Sequence, residues 1–406
     1  LARDGTPLAQ GEARTSPLGA VATAISGSLD AAPPERVEEL RARGVPDDAK
    51  VGVSGLELVF DEQLSGRPGG SLRAGSKVLA TTTPRAAPAV RTTIDPKVQR
   101  AAVEALGAQF GGIAVLRPRT SEILALSGVA FSGLQPPGST FKMVTLSGAL
   151  QARIAGPNST YPVLTKTQLE GVDIENANGE SCGGSLRLSF AHSCNSVFAP
   201  LGARLGAPRL VATAEAFGFN QNLGIPGAAT STIPKAEEIG DALAVGSSAI
   251  GQGKVQATAL MMGWVAATIA EGGMRTPLTL RPGRRAAPRR VLRASVARTV
   301  GRFMEAVVEV GTGGAAKIPG VRVAGKTGTA ELKTTAKADC TPAEGVECPP
   351  VEPDDPSDTD AWFAAYAPAG RPRVAVGVVL IANGAGGSTA APLAREVLSA
   401  GLKATG

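Results

Sequence analysis

Aromatic residues are scarce in this chain, with 2 Trp, 2 Tyr and 10 Phe among 406 residues. Base-stacking surfaces therefore have little to be made from, and no nucleic-acid motif is present, so nucleic acid is not an expected partner. The net charge of +6 comes from 41 Lys+Arg interspersed with 35 Asp+Glu, which reads as a mixed solvated surface. Histidine occurs once, as His192, and the four cysteines have no zinc-like spacing. No metal and no cofactor is expected. No apolar run reaches the ~18 residues that a membrane helix needs, and residues 257–270 and 374–382 read as core elements instead. No signal peptide is visible, and the chain starts with Leu1 rather than Met. It reads as a trimmed sequence whose membrane anchor would lie before Leu1. Glycine (51) and proline (30) are abundant but follow no fixed period, which excludes a collagen-like chain.

Hydrophobic residues make up 43%, enough for a sizeable core, and the length suits two domains. Residues 1–90 read as a small extended module, with a short helix over Arg36–Arg43, a strand over Gly55–Phe60, and turns at 66–70 and 81–88. Residues 91–406 read as a second domain. Asp95 and Pro96 open a helix as N-cap and first-turn proline. Residues 113–116 and 123–126 form a hairpin. Helical spacing runs over 141–154, 191–205, 210–217, 257–270 and 296–310. Strands follow at 321–330, 361–367 and 373–381, then a closing helix at 391–402. The fold class is α+β, an antiparallel sheet with helices on both faces. Residues 331–362 hold an acidic, Pro-rich insert expected to be a surface loop. Cys340 and Cys348 within it suit a short disulfide outside the cytosol. Cys182 and Cys194 pair or stay buried thiols; spacing does not choose.

Three motifs carry chemistry. Pro136-Pro137-Gly138-Ser139-Thr140-Phe141-Lys142 puts Ser139 at a helix N-terminus and Lys142 one turn on, on the same face. A serine hydroxyl needs a base, and a neutral lysine serves. Ser193-Cys194-Asn195 offers a proton relay and an amide for a substrate carbonyl. Lys326-Thr327-Gly328-Thr329 on a strand offers a cation and two hydroxyls for a carboxylate. Gly328 permits close backbone approach. The Ser139 and Thr329 N–H groups suit an oxyanion hole. Taken singly, each motif also describes ordinary structure: a capping serine, a turn, an edge strand. The conjunction decides, with Ser193 54 residues after Ser139 and Lys326 131 after Asn195.

In this order the motifs resemble those of penicillin-binding proteins, specifically class B. Arg3-Asp4-Gly5, residues 54–66, Thr93-Ile94-Asp95 with Gln99, Ile250-Gly251-Gln252-Gly253, Trp362-Phe363 and Tyr366-Ala367-Pro368 are similar to family segments along nearly the whole chain. Cys194 departs from the serine common there. Its side chain is expected to point away from substrate. The cysteine-bearing insert is a second departure.

The resemblance implies a serine D,D-transpeptidase that cross-links peptidoglycan stem peptides through an acyl-enzyme on Ser139 and is trapped by β-lactam antibiotics. Lys142 would act as base, Ser193 and Lys326 in proton transfer, and Thr327 and Thr329 as carboxylate ligands. Asn195 would orient the peptide and Gly328 admit it. The implied location is the extracytoplasmic face of the membrane, and the implied partner a membrane glycosyltransferase of the SEDS family. Two alternatives stand beside this. A β-lactamase-like hydrolase shares the motifs but needs a water-activating group, and none is identifiable. A β-lactam sensor or scaffold partner of a glycosyltransferase would not need the full catalytic set. A Ser-His-Asp reading through His192 is disfavoured, as no G-x-S-x-G elbow exists.

Overall fold

The computed structural model describes residues 1–11, 13–283, 286–331 and 358–405. Its centre is a five-stranded sheet: β1 (Gly111–Arg117), β2 (Glu122–Gly128), β3 (Ala324–Glu331), β4 (Thr359–Ala367) and β5 (Val374–Leu380). The spatial order is β3-β4-β5-β1-β2, antiparallel throughout. Both faces are covered, so β5 reads VAVGVVL and every residue in it is buried. Alternate residues turn to opposite sides. Ile113, Val115, Val376 and Val378 pack with Val98 of α1 (Pro96–Leu106) and Val397 of the C-terminal helix, Ala390–Ala404. Ala114, Leu116 and Val379 pack with Val265 of the helix Ala259–Ala270 and Met304 of the helix Ala294–Glu309. Thus the expected α+β sheet with helices on both faces is found.

Local sequence explains some element starts. Asp95 accepts hydrogen bonds from Lys97 N and Val98 N and caps α1, with Pro96 in its first turn. Thr258 accepts from Met261 N and caps the helix that follows it.

Two expectations need correction, and one element was not foreseen. Gly55–Val59 is a helical turn, not a strand. Leu56 and Phe60, four residues apart, both turn inward, a spacing that a short apolar run leaves ambiguous. Residues 70–82 contain a hairpin, Gly70–Ala74 with Lys77–Thr82, exposed at every position, so no burial pattern announced it. The helix expected over 191–205 begins only at Asn195, as α4 (Asn195–Leu205), after a separate helix α3 (Leu186–Ala191). Ser193 breaks them with φ 62. Ser193 N bonds Phe190 O and Cys194 N bonds Ser189 O. That is a Schellman cap with serine where glycine is usual.

The N-terminal residues do not stand apart. Arg3 N bonds Ile94 O and Thr92 N bonds Leu1 O. Ala2, Leu8, Ile25, Leu56 and Phe60 join the same core as the helices under the sheet.

Candidate active site

A tight turn, residues Gly138–Phe141, runs directly into α2 (Lys142–Gln151). Gly138 adopts φ 51, donates its N–H to Gly251 O, and lies so close to β3 that a Cβ would stand 2.5 Å from Thr329 O. Only glycine fits there. Ser139 is the second residue of the turn, so its N–H has no partner within it. Lys142, one turn on, is fully buried with its Nζ 2.9 Å from Ser139 Oγ.

The same Nζ lies 2.6 Å from Ser193 O, 2.6 Å from Asn195 Oδ1 and 3.2 Å from Ser193 Oγ. Two of these neighbours, Ser193 O and Asn195 Oδ1, can only accept. A neutral amine has two N–H groups and one lone pair. The two acceptors take the two donors, which leaves the lone pair for the Ser139 hydroxyl proton. Lys326 reaches the cluster from β3: its Nζ donates to Ser193 Oγ at 2.8 Å and to Thr327 O at 3.1 Å. Ser139, Lys142, Ser193, Asn195 and Lys326 thus form one hydrogen-bonded set. Thr327 and Gly328 sit beside it on β3, and Thr329 sits against Gly138.

Burial dominates the electrostatics. It lowers Lys326 to about 7. Burial, helped by the Lys326 charge, holds Lys142 well below the ordinary lysine value. Both Nζ atoms lie over aromatic rings, Lys142 over Phe198 at 5.7 Å and Lys326 over Phe190 at 5.5 Å. Those π faces partly offset the lost hydration of whichever amine carries charge. Among the described residues, no carboxylate forms an ion pair with either lysine. The site thus holds two buried amines, neither paired with a carboxylate among the described residues.

Several partners were invisible in the motif pattern. Asn195 Nδ2 donates to Glu175 O on the strand Val172–Glu175, which turns the amide oxygen toward Lys142. Asn195 therefore holds the lysine first, with one N–H left for substrate. Thr312 Oγ1 lies 2.5 Å from Thr327 Oγ1. Phe190 and Phe198 flank Ser193 by three and five residues in sequence, a spacing legible only once α3 and α4 are known to part at Ser193. Cys182 and Cys194 are joined as a disulfide with Cα atoms 5.8 Å apart, and Cys194 is fully buried. Cys340 and Cys348 lie outside the described residues. His192 Nδ1 sits 3.3 Å from Glu180 Oε1 at the surface, while Ser139 Oγ has Lys142 for neighbour. The Ser-His-Asp reading therefore fails on geometry.

A serine served by a lysine three residues on, beside the edge strand of the sheet, defines a class of acyl-enzyme sites distinct from the histidine-based hydrolases. Residues 111–399 match the model of the penicillin binding protein transpeptidase domain, and residues 4–78 match that of the penicillin-binding protein dimerisation domain. The chain belongs to the penicillin-binding protein transpeptidase family. It is 33% identical over 381 residues to the peptidoglycan D,D-transpeptidase PbpA of Mycolicibacterium smegmatis, covering 77% of this chain and 72% of that protein. The D,D-transpeptidase domain of a peptidoglycan glycosyltransferase from Eggerthella lenta is similar in structure, with a TM-score of 0.75 and 26% identity over 97% of this chain and 93% of that one. Penicillin-binding protein A of M. tuberculosis, solved as a penicillin G acyl-enzyme, matches with a TM-score of 0.70 and 27% identity over 98% and 96% of the two chains.

Proposed function

We propose that this chain is a peptidoglycan D,D-transpeptidase that works through an ester on Ser139. The observation that carries the reading is the set of neighbours of Lys142: two carbonyl acceptors and the serine hydroxyl at 2.9 Å. In the first step Ser139 Oγ attacks the carbonyl of the penultimate D-Ala of a stem peptide. Lys142 takes the hydroxyl proton. The C–N bond to the terminal D-Ala breaks, and its nitrogen receives a proton relayed through Ser193 from the lysine pair. In the second step an amine of a neighbouring stem attacks the ester, a new C–N bond forms, and the C–O bond breaks. Its proton returns to Ser139 Oγ through Lys142. The Ser139 and Thr329 N–H groups would hold the oxyanion in both steps. Thr327, Thr329 and Lys326 would hold the terminal carboxylate, Asn195 would orient the peptide, and Gly328 would let it lie close to β3. No cofactor or metal enters these steps.

β-Lactams present a similar carboxylate beside a strained amide and would acylate Ser139. Intact-mass measurement after incubation with benzylpenicillin tests this. The expected result is a single long-lived adduct that maps to the peptide bearing Ser139 and is absent from Ser139→Ala. No adduct, or one elsewhere, overturns the reading. Rapid turnover of the drug would favour the hydrolase alternative.

We place the domain boundary at residues 90 and 91 and the site of action outside the cytoplasmic membrane. No helix among the described residues is long and apolar enough to cross a membrane. A membrane glycosyltransferase of the SEDS family is the proposed partner of the N-terminal module. The hairpin at 70–82 supports this, since Leu72, Val78 and Leu79 are exposed on it.

A further inference from the structure

We infer that Thr312 is a positioning residue for recognition of the substrate's terminal carboxylate, acting by aiming the Thr327 hydroxyl. The inference rests on the proposed acyl-transfer function.

Thr312 lies outside all three motifs, in the turn Gly311-Thr312-Gly313 after the helix Ala294–Glu309. Its backbone is held firmly. Thr312 N bonds Ala191 O at 3.1 Å, Gly311 N bonds Ala306 O at 3.1 Å, and Gly313 N bonds Val307 O at 2.8 Å. A Cβ at Gly311 would overlap Ala191 O, so glycine admits the turn at that point. Ala191 ends α3, two residues before Ser193. Thr312 therefore links the S-x-N turn to β3, with its Oγ1 2.5 Å from Thr327 Oγ1.

Proton direction gives this contact its consequence. Each threonine hydroxyl has one hydrogen, and a carboxylate only accepts. If Thr327 gives its hydrogen to Thr312, it faces a carboxylate with lone pairs. If Thr312 gives its hydrogen to Thr327, the Thr327 hydrogen is free for the substrate. Thr312 Oγ1 has one other acceptor in reach, Ala191 O at 3.4 Å, which already receives Thr312 N–H. The short contact is the better outlet. With substrate bound, the order is Thr312 to Thr327 to carboxylate, each bond polarising the next.

The test separates binding from chemistry. Stopped-flow acylation would be measured with benzylpenicillin and with its carboxyl methyl ester, for wild type, T312V, T312A and T312S. T312V and T312A should weaken the pre-covalent Kd for the free acid by about fivefold to tenfold, the worth of the one neutral hydrogen bond that is lost. The first-order acylation step should change by less than about twofold. T312S should restore the Kd, and the penalty should disappear with the ester. Adding T312V to T327V should cost nothing further. Equal losses for acid and ester, a loss confined to the chemical step, or failure of T312S to rescue would each overturn the inference. A wild-type chain that penicillin does not acylate at Ser139 would instead sink the functional reading on which it rests.

Discussion

Lys142 and Lys326 meet on one hydroxyl, Ser193 Oγ, and two buried amines so close resist carrying charge together. The two roles then need opposite states. Lys142 must be neutral to take the Ser139 proton, so acylation rises with pH as it loses its own. Lys326 must be charged to attract a carboxylate, and burial brings it to about 7, so recognition falls as pH climbs past that value. The second-order rate of penicillin acylation should therefore be bell-shaped, with its upper limb near 7. Stopped-flow rates that stay flat from pH 6 to about 9 would contradict the assignment. Asp360 gives a second residue-scale case. It is fully buried, its Oδ1 accepts from Ala382 N, and its Oδ2 has no hydrogen-bond partner among the described residues. Burial raises its pKa to about 6 from 3.8. The folded chain then holds this proton more tightly than the unfolded chain, so stability falls as pH rises between those values and stays lower above them. Asp360→Asn should melt above wild type at pH 8, with the gap closing below pH 4. Thermal melts at both pH values decide it.

At the scale of elements, the S-x-N turn is the least comfortable part of the site. Ser193 holds φ 62, a left-handed conformation that a non-glycine residue adopts at a cost of about 1 kcal/mol. The next residue, Cys194, is tied to Cys182 across a sequence separation of 12. The disulfide thus clamps the turn that presents Ser193 and Asn195. The variant with both Cys182 and Cys194 replaced by Ala should lose about 3 kcal/mol in urea titration, the worth of closing a loop of that size. It should also acylate more slowly with penicillin, because both lysines bond Ser193. Unchanged acylation in the folded variant would show that the turn holds itself. The loop before the C-terminal helix supports β3 from the other side. A Cβ at Gly386 would overlap the Trp362 and Gly328 carbonyl oxygens, which are paired in register across β3 and β4. Gly386→Ala should displace the Lys326–Thr329 strand and reduce acylation at least tenfold by the same assay, since small misplacements at a reacting centre are costly.

Over the whole molecule, the N-terminal residues and the helices beneath the sheet share one apolar cluster that runs from Ala2 and Phe60 to Trp264 and Val379. Arg3 adds an ion pair to Glu122 at 3.6 Å, and Arg281 lies 5.5 Å over the Phe60 ring. A shared core couples the N-terminal residues to the helices beneath the sheet, so the two should lose structure together. Far-UV circular dichroism should report the same midpoint as the fluorescence of Trp264 and Trp362, both beyond residue 90. Phe60→Ala should move that common midpoint, destabilising by about 3 kcal/mol through the cavity it leaves. Two separated transitions would mean that the N-terminal module is independent.

The proposed nucleophile, its proposed base and the β3 lysine were legible in the linear order because acyl transfer restricts residue types at short spacing: Ser139 and Lys142 share a face after one helical turn wherever that helix lies. The central sheet was legible too, since most of β1 and β4 and all of β5 are apolar. Other features were decided by tertiary packing alone. The break at Ser193 comes from a backbone torsion that serine does not advertise. The pairing of Cys182 with Cys194, the hold of Glu175 O on Asn195 and the meeting of Thr312 with Thr327 depend on which loops the core presses together. The lysine pKa values depend on burial, a property of the assembled fold. Short-range chemistry can be read along a chain because covalent geometry enforces it, whereas long-range contacts exist only after the apolar surface has been packed away.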